Sequence, residues 1–200
     1  MSSPNSGVAA VILNGGRARR MQGLDKARLD VGGQRIADTQ LALLQSRCAP
    51  LAMVVADASQ TEGLAVEAIF DRVGGQGPLD GIAAALAWSP TPWVLVLACD
   101  MPDVHPELLD LLLGARDTQH DIIAMAPSGR VQPLLALYHR RLLPVLDARL
   151  AAGELRATSL LQEPPAGVAV HFLDDEEILR IDPEAKSFRN LNRPEDLSQS

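Results

Sequence analysis

The segment from Val8 to Lys26 constrains the fold more than any other part of the chain. It begins with a continuous apolar run from Val8 to Leu13. Such a run predicts a strand that is buried on both faces, as in a parallel sheet. The run ends at Asn14-Gly15-Gly16, where adjacent glycines allow backbone N–H groups to approach a ligand closely. The segment therefore predicts a central strand that leads directly into a ligand-binding turn.

Four cations follow these glycines within ten residues, although the formal net charge of the chain is -7. They are Arg17, Arg19, Arg20 and Lys26. A strand that ends in a glycine turn edged by fixed positive charges is typical of a polyphosphate site. The loop matches neither G-x-x-x-x-G-K-[ST] nor G-x-G-x-x-G, which disfavours a P-loop NTPase and a dinucleotide-binding protein.

The remainder of the chain alternates short apolar runs with helix-forming segments. This order predicts an α/β fold with a doubly wound, mostly parallel sheet, and the length of 200 residues favours a single domain. Predicted strands cover residues 8–13, 51–56, 66–70, 93–98, 121–126, 134–138 and 168–172. Predicted helices cover residues 38–47, with Asp38 as the cap, 82–88, 106–115 and 140–152, with Gly153 as a stop. The acidic run that begins at Asp174 predicts the solvated start of a short helix.

Composition argues against several classes of partner and location. An acidic chain without an extended basic surface is not expected to bind nucleic acid. Cys48 and Cys99 have no metal-binding spacing, and no window approaches the ~18 apolar residues of a membrane span. Residues 1–7 lack the pattern of a signal peptide. We therefore expect a cytoplasmic protein with reduced thiols and no membrane partner.

Four candidate elements follow predicted strands: the first glycine loop, Asp71, the second glycine loop at residues 74–81, and Asp100. In an open α/β sheet, ligands bind outside the carboxyl ends of the strands, so these elements are expected to share one site. Asp100 directly follows a predicted buried strand, and Pro102 cannot donate the backbone hydrogen bond that would extend this strand in the sheet. A carboxylate at this position suits Mg²⁺, which takes oxygen ligands from one or two carboxylates and from substrate phosphates.

Leu13-Asn14-Gly15-Gly16, Arg20-Met21 and Asp25-Lys26 resemble the L-A-G-G-x-x-x-R-M-G-x-D-K signature of nucleotidyltransferases. In particular, the chain resembles the molybdenum cofactor guanylyltransferases, which join GMP to molybdopterin. The resemblance implies a Rossmann-like nucleotidyltransferase fold that uses GTP, Mg²⁺ and molybdopterin. It also implies a nucleotide-binding half at about residues 8–105 and an acceptor-binding half at residues 106–200.

The resemblance assigns nucleotide contacts to ten residues. These are Leu13, Asn14, Gly15, Gly16, Lys26, Asp71, Pro78, Leu79, Gly81 and Asp100. Arg20, Lys26 and Asp100 are implied as catalytic, because fixed cations and a metal stabilise the charge on the transferring phosphate. Gly15 and the G-P-L-x-G sequence favour guanine as the base. Asp71 would accept hydrogen bonds from guanine or from the ribose.

Acceptor binding is implied for Arg156, which follows Gly153, and for Asn190 and Asn192 in the F-x-N-x-N ending. The alternative for the asparagines is a structural turn. The sequence departs from the family pattern at Asn14, Gln22, Ala56 and Gln132. Two other functions therefore stay open: cytidylyl or sugar-phosphate nucleotidyl transfer, and nucleotide binding without transfer. Proteins that make or receive the cofactor are expected partners by resemblance.

Overall fold

The computed structural model describes residues 7–14, 30–31, 34–72 and 77–191. The strands within these ranges are β1 Val8–Leu13, β2 Asp30–Val31, β3 Gln34–Arg35, β4 Leu51–Val55, β5 Glu67–Phe70, β6 Trp93–Ala98, β7 Ile122–Ala124, β8 Leu135–His139 and β9 Val170–Phe172. The α-helices are α1 Ile36–Gln45, α2 Pro78–Trp88, α3 Pro106–Gly114, α4 Leu143–Ala151, α5 Ala157–Gln162 and α6 Asp175–Ile181.

Seven of the strands form one sheet in the order β5-β4-β1-β6-β8-β7-β9, while β2 and β3 form a separate antiparallel ribbon. Strand β8 runs antiparallel to both of its neighbours, and all the other pairings in the large sheet are parallel. β1 lies between β4 and β6, so that Ile12 pairs with Met53 on one side and with Leu97 on the other. The prediction of a mostly parallel sheet is confirmed, and the central position of β1 explains its continuous apolar run.

Side chains that alternate along the strands supply two hydrophobic cores, one on each face of the sheet. Along β1, Ile12 lies in the first core and Val11 in the second. The first core is completed by α1, α3 and α6, and the second by α2, α4 and α5. The sheet is therefore covered by helices on both faces, as a doubly wound fold requires.

Helix α2 begins earlier than the sequence predicts. Pro78 occupies its first turn, where a missing N–H costs nothing, so that residues 78–81 are helical rather than part of a loop. The helix predicted from residue 38 begins instead at Ile36. Its N-cap is Arg35, and Asp38 lies in the first turn, where it accepts a hydrogen bond from the Arg35 guanidinium rather than capping the helix.

The second half of the chain also differs in detail. The helix predicted over residues 140–152 divides into a 3-10 turn, Arg140–Leu142, followed by α4. Gly153, at φ +78°, follows α4 as the predicted stop. Helix α5 was not predicted. Asp174 caps α6 by accepting hydrogen bonds from the Glu176 and Glu177 N–H groups, which confirms the predicted start of a short helix. Among the helices in the ranges given above, none has the length and apolar character needed to cross a membrane.

Candidate functional site

The carboxyl ends of β1 and β6 form a single rim. The Asn14 N–H donates to the Val54 carbonyl oxygen at 2.9 Å, and the Cys99 N–H donates to the Leu13 carbonyl oxygen at 3.1 Å. The Cys99 thiol also donates to Asn14 Oδ1 at 3.1 Å. These bonds keep the two strand ends together beyond the last ladder pair, Leu13 with Ala98. Asn14, which follows β1, and Cys99, which follows β6 and precedes Asp100, are thereby held next to each other.

Asp100 lies half-buried at this rim, and its backbone oxygen accepts a hydrogen bond of 2.8 Å from the Leu191 N–H. No group of three or more His, Cys, Asp or Glu side chains that could hold a metal occurs in the described ranges. A complete protein cage is not what Mg²⁺ requires, since this ion binds through one or two carboxylates together with substrate phosphates. A partly exposed carboxylate at the end of a strand therefore fits a magnesium ion shared with a triphosphate.

Gly81 lies close to two other residues assigned to nucleotide binding, Leu13 and Asp71. A Cβ atom added at Gly81 would lie 3.3 Å from Leu13 Cδ2 and 3.6 Å from Asp71 Oδ1. The absence of a side chain at Gly81 thus allows helix α2 to approach both strand ends closely. Asp71 follows β5, which lies two strands away from β1, and the first turn of α2 spans the gap between them.

The carboxyl group of Asp71 has a perturbed pKa. Burial raises its pKa to about 6, and the neighbouring carboxylate of Asp80 acts in the same direction. Asp80 itself is fully buried in the first turn of α2, and its Oδ1 accepts a hydrogen bond of 3.0 Å from the Arg72 N–H. Sequence reasoning missed Asp80. The signal available in the sequence was the position of Asp80 next to the apolar run of α2. A carboxylate is unusual on a buried helix face.

A cavity of about 640 Å³ extends from this rim toward the second half of the chain. Pro78 lines it on the nucleotide side, together with Ala98 and Met101, which flank the loop that contains Asp100. Arg156 and Asn190, from the second half of the chain, also line it. The structure therefore brings one residue assigned to the nucleotide and two assigned to the acceptor into the same cavity.

A close backbone approach places the start of α2 beside Arg156. Gly77 adopts φ +138°, and a Cβ atom at this position would lie only 3.0 Å from the Leu155 carbonyl oxygen. The same oxygen accepts a hydrogen bond of 3.5 Å from the Leu79 N–H. A glycine is therefore required at position 77 both for its backbone conformation and for space.

Arg130 also lines the cavity, and sequence reasoning missed it. It follows Gly129, which has φ +78° and ends the 3-10 turn Pro127–Gly129. In the sequence, the available signal was Gly129, which lies between the predicted strands at residues 121–126 and 134–138. Two exposed cations, Arg130 and Arg156, thus face a cavity whose other walls are mostly neutral. Such a cavity is suited to an anionic ligand.

Several predicted site residues fall outside the described ranges. They are Gly15, Gly16, Arg20, Lys26 and Asn192. Their expected roles stay predictions, and so does the expectation that Lys26 and Asp100 lie on the same side of the molecule.

A doubly wound sheet with a strand-end carboxylate, and with a cavity lined by two cations at the same edge, fits a nucleotidyltransferase. The sequence profile of the "MobA-like NTP transferase domain" matches residues 10–168. The chain belongs to this family.

Relatives and solved structures agree with this placement. A probable molybdenum cofactor guanylyltransferase of Chloroflexus aggregans is 37% identical over 95% of this chain and 91% of its own length. A molybdenum cofactor guanylyltransferase of Photobacterium profundum is 31% identical over 94% of this chain and 93% of its own. The crystal structure of molybdopterin-guanine dinucleotide biosynthesis protein A from Archaeoglobus fulgidus superposes with a TM-score of 0.76 at 27% identity, and covers 96% of this chain and 95% of that one. The resemblance stated from the motifs is confirmed.

The fold is also shared more widely. A cytidylyltransferase structure from Thermus thermophilus, which acts on 2-C-methyl-D-erythritol 4-phosphate by its name, superposes with a TM-score of 0.64 at 21% identity, and covers 95% of each chain. At this identity the likeness concerns the fold alone.

Proposed function

We propose that this enzyme transfers GMP from GTP to the terminal phosphate of molybdopterin, with or without bound molybdenum, and releases pyrophosphate. The observation that carries the proposal is the cavity that Pro78, at the start of α2, lines together with Arg156 and Asn190. A transferase of this kind must hold two anionic substrates so that the phosphate of one reaches the α-phosphorus of the other. One continuous cavity beside the β6 end meets that requirement.

The reaction needs positioning and charge stabilisation more than acid–base chemistry. A phosphate oxygen of molybdopterin attacks the α-phosphorus of GTP, which forms a new phosphoanhydride bond. The bond from that phosphorus to the oxygen bridging it to the β-phosphate breaks, and this oxygen leaves with the electron pair as part of pyrophosphate. Because the attacking phosphate is already an anion, no side chain has to remove a proton.

Asp100 would hold Mg²⁺, which would supply positive charge to the triphosphate oxygens when bound. We assign Arg20 and Lys26 to the same phosphates on the basis of the sequence motif. Asn14 and Leu13 line the strand end beside the nucleotide, and Asp71 accepts hydrogen bonds from guanine or the ribose. On the acceptor side, Arg156 binds the phosphate of molybdopterin, while Asn190 and Asn192 bind the pterin.

The two sets of residues support a division of labour along the chain. Residues from about 8 to 105 would bind the nucleotide, and residues 106 to 200 would bind the acceptor. We further propose that the enzyme works in the cytoplasm with proteins that make or receive the cofactor. Cys48 and Cys99 are both buried thiols outside any disulfide, which is consistent with a reducing compartment.

The proposal is tested by incubating the protein with Mg²⁺, molybdopterin and each of the four nucleoside triphosphates separately. We expect pyrophosphate and a dinucleotide product with GTP, and little of either with CTP, ATP or UTP. Equal turnover of CTP and GTP would refute guanine selection. Nucleotide binding without pyrophosphate release, with acceptor and Mg²⁺ present, would instead identify a module that binds nucleotide without transferring it.

A further inference from the structure

The side chain of Gln40 lies directly behind the loop that contains Asp100. Gln40 is on α1, and only 1% of its surface is exposed. Its Nε2 atom donates to the carbonyl oxygens of Ala98 and Met101, each at 2.9 Å. These two carbonyls stand on either side of Cys99-Asp100. The amide therefore spans the base of the turn from which the Asp100 side chain projects.

The orientation of this amide follows from chemistry. Carbonyl oxygens only accept hydrogen bonds, so the NH₂ group of Gln40, which has two donors, must face both of them. Within the described part of the chain, the Oε1 atom of Gln40 is buried without a hydrogen-bond partner. A buried acceptor without a partner destabilises a fold. Packing alone would be served better by an apolar side chain at this position, so the two donors to the loop are the distinctive property of the residue.

Backbone hydrogen bonds also support this loop, including those from the Ala98 N–H to the Leu134 carbonyl oxygen at 2.9 Å and from the Cys99 N–H to the Leu13 carbonyl oxygen at 3.1 Å. Met101 N–H reaches the Ala98 carbonyl oxygen at 3.4 Å, which is a weak bond, and Leu191 N–H supports the Asp100 carbonyl oxygen at 2.8 Å. Gln40 thus supplies two of the shorter bonds that define the path of residues 98–101. The Cys99 thiol also donates a hydrogen bond to the Asn14 side chain at the end of β1.

We propose that Gln40 is a positioning residue that sets the Asp100 carboxylate for divalent metal binding. The inference rests on the proposed function, because it takes Asp100 as the metal ligand. Groups that orient a metal-binding carboxylate without touching the metal typically change metal affinity by about 10- to 100-fold when removed. Gln40 acts through the backbone on either side of Asp100, and it contacts neither the metal nor the nucleotide.

The test measures metal binding without requiring transfer. Mn²⁺ is titrated into the protein in the presence of a GTP analogue with a methylene group between the α- and β-phosphorus, and free Mn²⁺ is followed by electron paramagnetic resonance. Gln40→Met keeps the length of the side chain but has no donor. We expect the Mn²⁺ dissociation constant of this variant to rise at least about tenfold. Gln45→Met, on the exposed end of the same helix, is the matched control and should bind Mn²⁺ as the unmodified protein does.

Circular dichroism and thermal unfolding of each variant separate positioning from folding. A folded Gln40→Met variant with unchanged Mn²⁺ affinity would overturn the proposal, whatever its melting temperature. Should that variant not fold, Gln40→Asn retains the amide but is too short to reach both carbonyls, and it should weaken Mn²⁺ binding in the same direction. If neither variant folds, Gln40 is a structural requirement and the proposal fails.

The outcome for the proposed function is read separately. A protein that binds Mn²⁺ with the analogue, and loses this binding on Gln40 substitution, but never forms the dinucleotide, would support the role of Gln40 and contradict guanylyl transfer. If the unmodified protein binds no Mn²⁺ beside the analogue, the metal assignment of Asp100 and the role of Gln40 both fail.

Discussion

The two sides of the cavity receive their residues in different ways. On the nucleotide side, β5, β1 and β6 run parallel. Asp71 and Asn14 directly follow β5 and β1, and Asp100 follows β6 after Cys99. On the acceptor side, β8 runs in the opposite direction, so the cavity receives residues that precede this strand, such as Gln132. The first side is therefore determined by where the strands end, whereas the second depends on the loops between elements.

The other residues proposed for acceptor binding show the same contrast. Arg156 occupies the N-cap position of α5, and Asn190 follows the 3-10 turn Lys186–Phe188 near the end of the described chain. A loop or a helix start can change in length and composition without disturbing a strand. The loops on the proposed acceptor side could therefore vary while the strand ends stay in place.

The C-terminal segment nevertheless links the two sides. The Ser187 hydroxyl accepts a hydrogen bond of 2.9 Å from the His105 N–H and donates one of 3.3 Å to the Asp103 carbonyl oxygen. Leu191, next to Asn190, is bonded to the backbone of Asp100. The segment that carries the proposed acceptor residue Asn190 is thus attached by hydrogen bonds to the loop that carries the proposed metal ligand.

The comparison predicts the largest effect on the nucleotide side, at Asp100. Asp100→Ala removes the proposed metal ligand, and we expect the transfer rate to fall at least about 10³-fold. The fold should be retained, because the bond from the Leu191 N–H is made to the backbone of residue 100. Pyrophosphate release and circular dichroism measure the two effects.

Asp103→Ala is the matched control for this change. Asp103 lies in the same loop with an exposed side chain, and only its backbone oxygen is bonded to Ser187. Its transfer rate should equal that of the unmodified enzyme. Transfer that survives Asp100→Ala would remove Asp100 from the metal site.

A smaller effect, confined to one substrate, is expected on the acceptor side. Arg156→Ala removes a charge-assisted hydrogen bond to the molybdopterin phosphate, a loss of about 2 kcal/mol, which corresponds to about a thirtyfold increase in KM for molybdopterin. KM for GTP should stay unchanged. Arg180→Ala, at an exposed position of α6, is the control. An equal rise in both KM values would contradict the separation of the two sides.

The same contrast determines how much could be predicted from the sequence. Buried parallel strands have continuous apolar runs, so β1 and β6 were predicted with their observed bounds. An apolar run carries no information on strand direction, so the reversal of β8 could not be predicted. Helix α5 has only six residues, too few for a periodic pattern to appear.

Side-chain contacts between segments that are distant in the sequence could not be predicted either. Gln40 lies 58 residues before Ala98, and nothing in its helical surroundings indicates that its amide supports that strand end. Asp80 was visible as the variable position of the G-P-L-x-G sequence, but its burial follows from helix α2 starting at Pro78. Both residues act through tertiary contacts, which local patterns do not contain.

The smallest predicted effect is a pH dependence on the nucleotide side. Burial, with the carboxylate of Asp80 as a second cause, raises the pKa of Asp71 to about 6, so Asp71 gains a proton as the pH falls through this value. A protonated carboxyl accepts hydrogen bonds from guanine or ribose poorly. If Asp71 makes these bonds in its ionised form, KM for GTP should be about fourfold higher at pH 5.5 than at pH 7.5.

Asp71→Asn provides the control, since it retains an acceptor oxygen but does not titrate. The GTP phosphates titrate equally with both proteins, so the difference between the two pH profiles isolates Asp71. The sign for folding is the reverse of the sign for binding: because the folded pKa is raised, ionisation of Asp71 destabilises the fold as the pH rises from about 4 to about 6. Identical KM profiles for the two proteins would place Asp71 outside the nucleotide contact. They would leave the strand ends of β1 and β6 as the nucleotide side of the cavity.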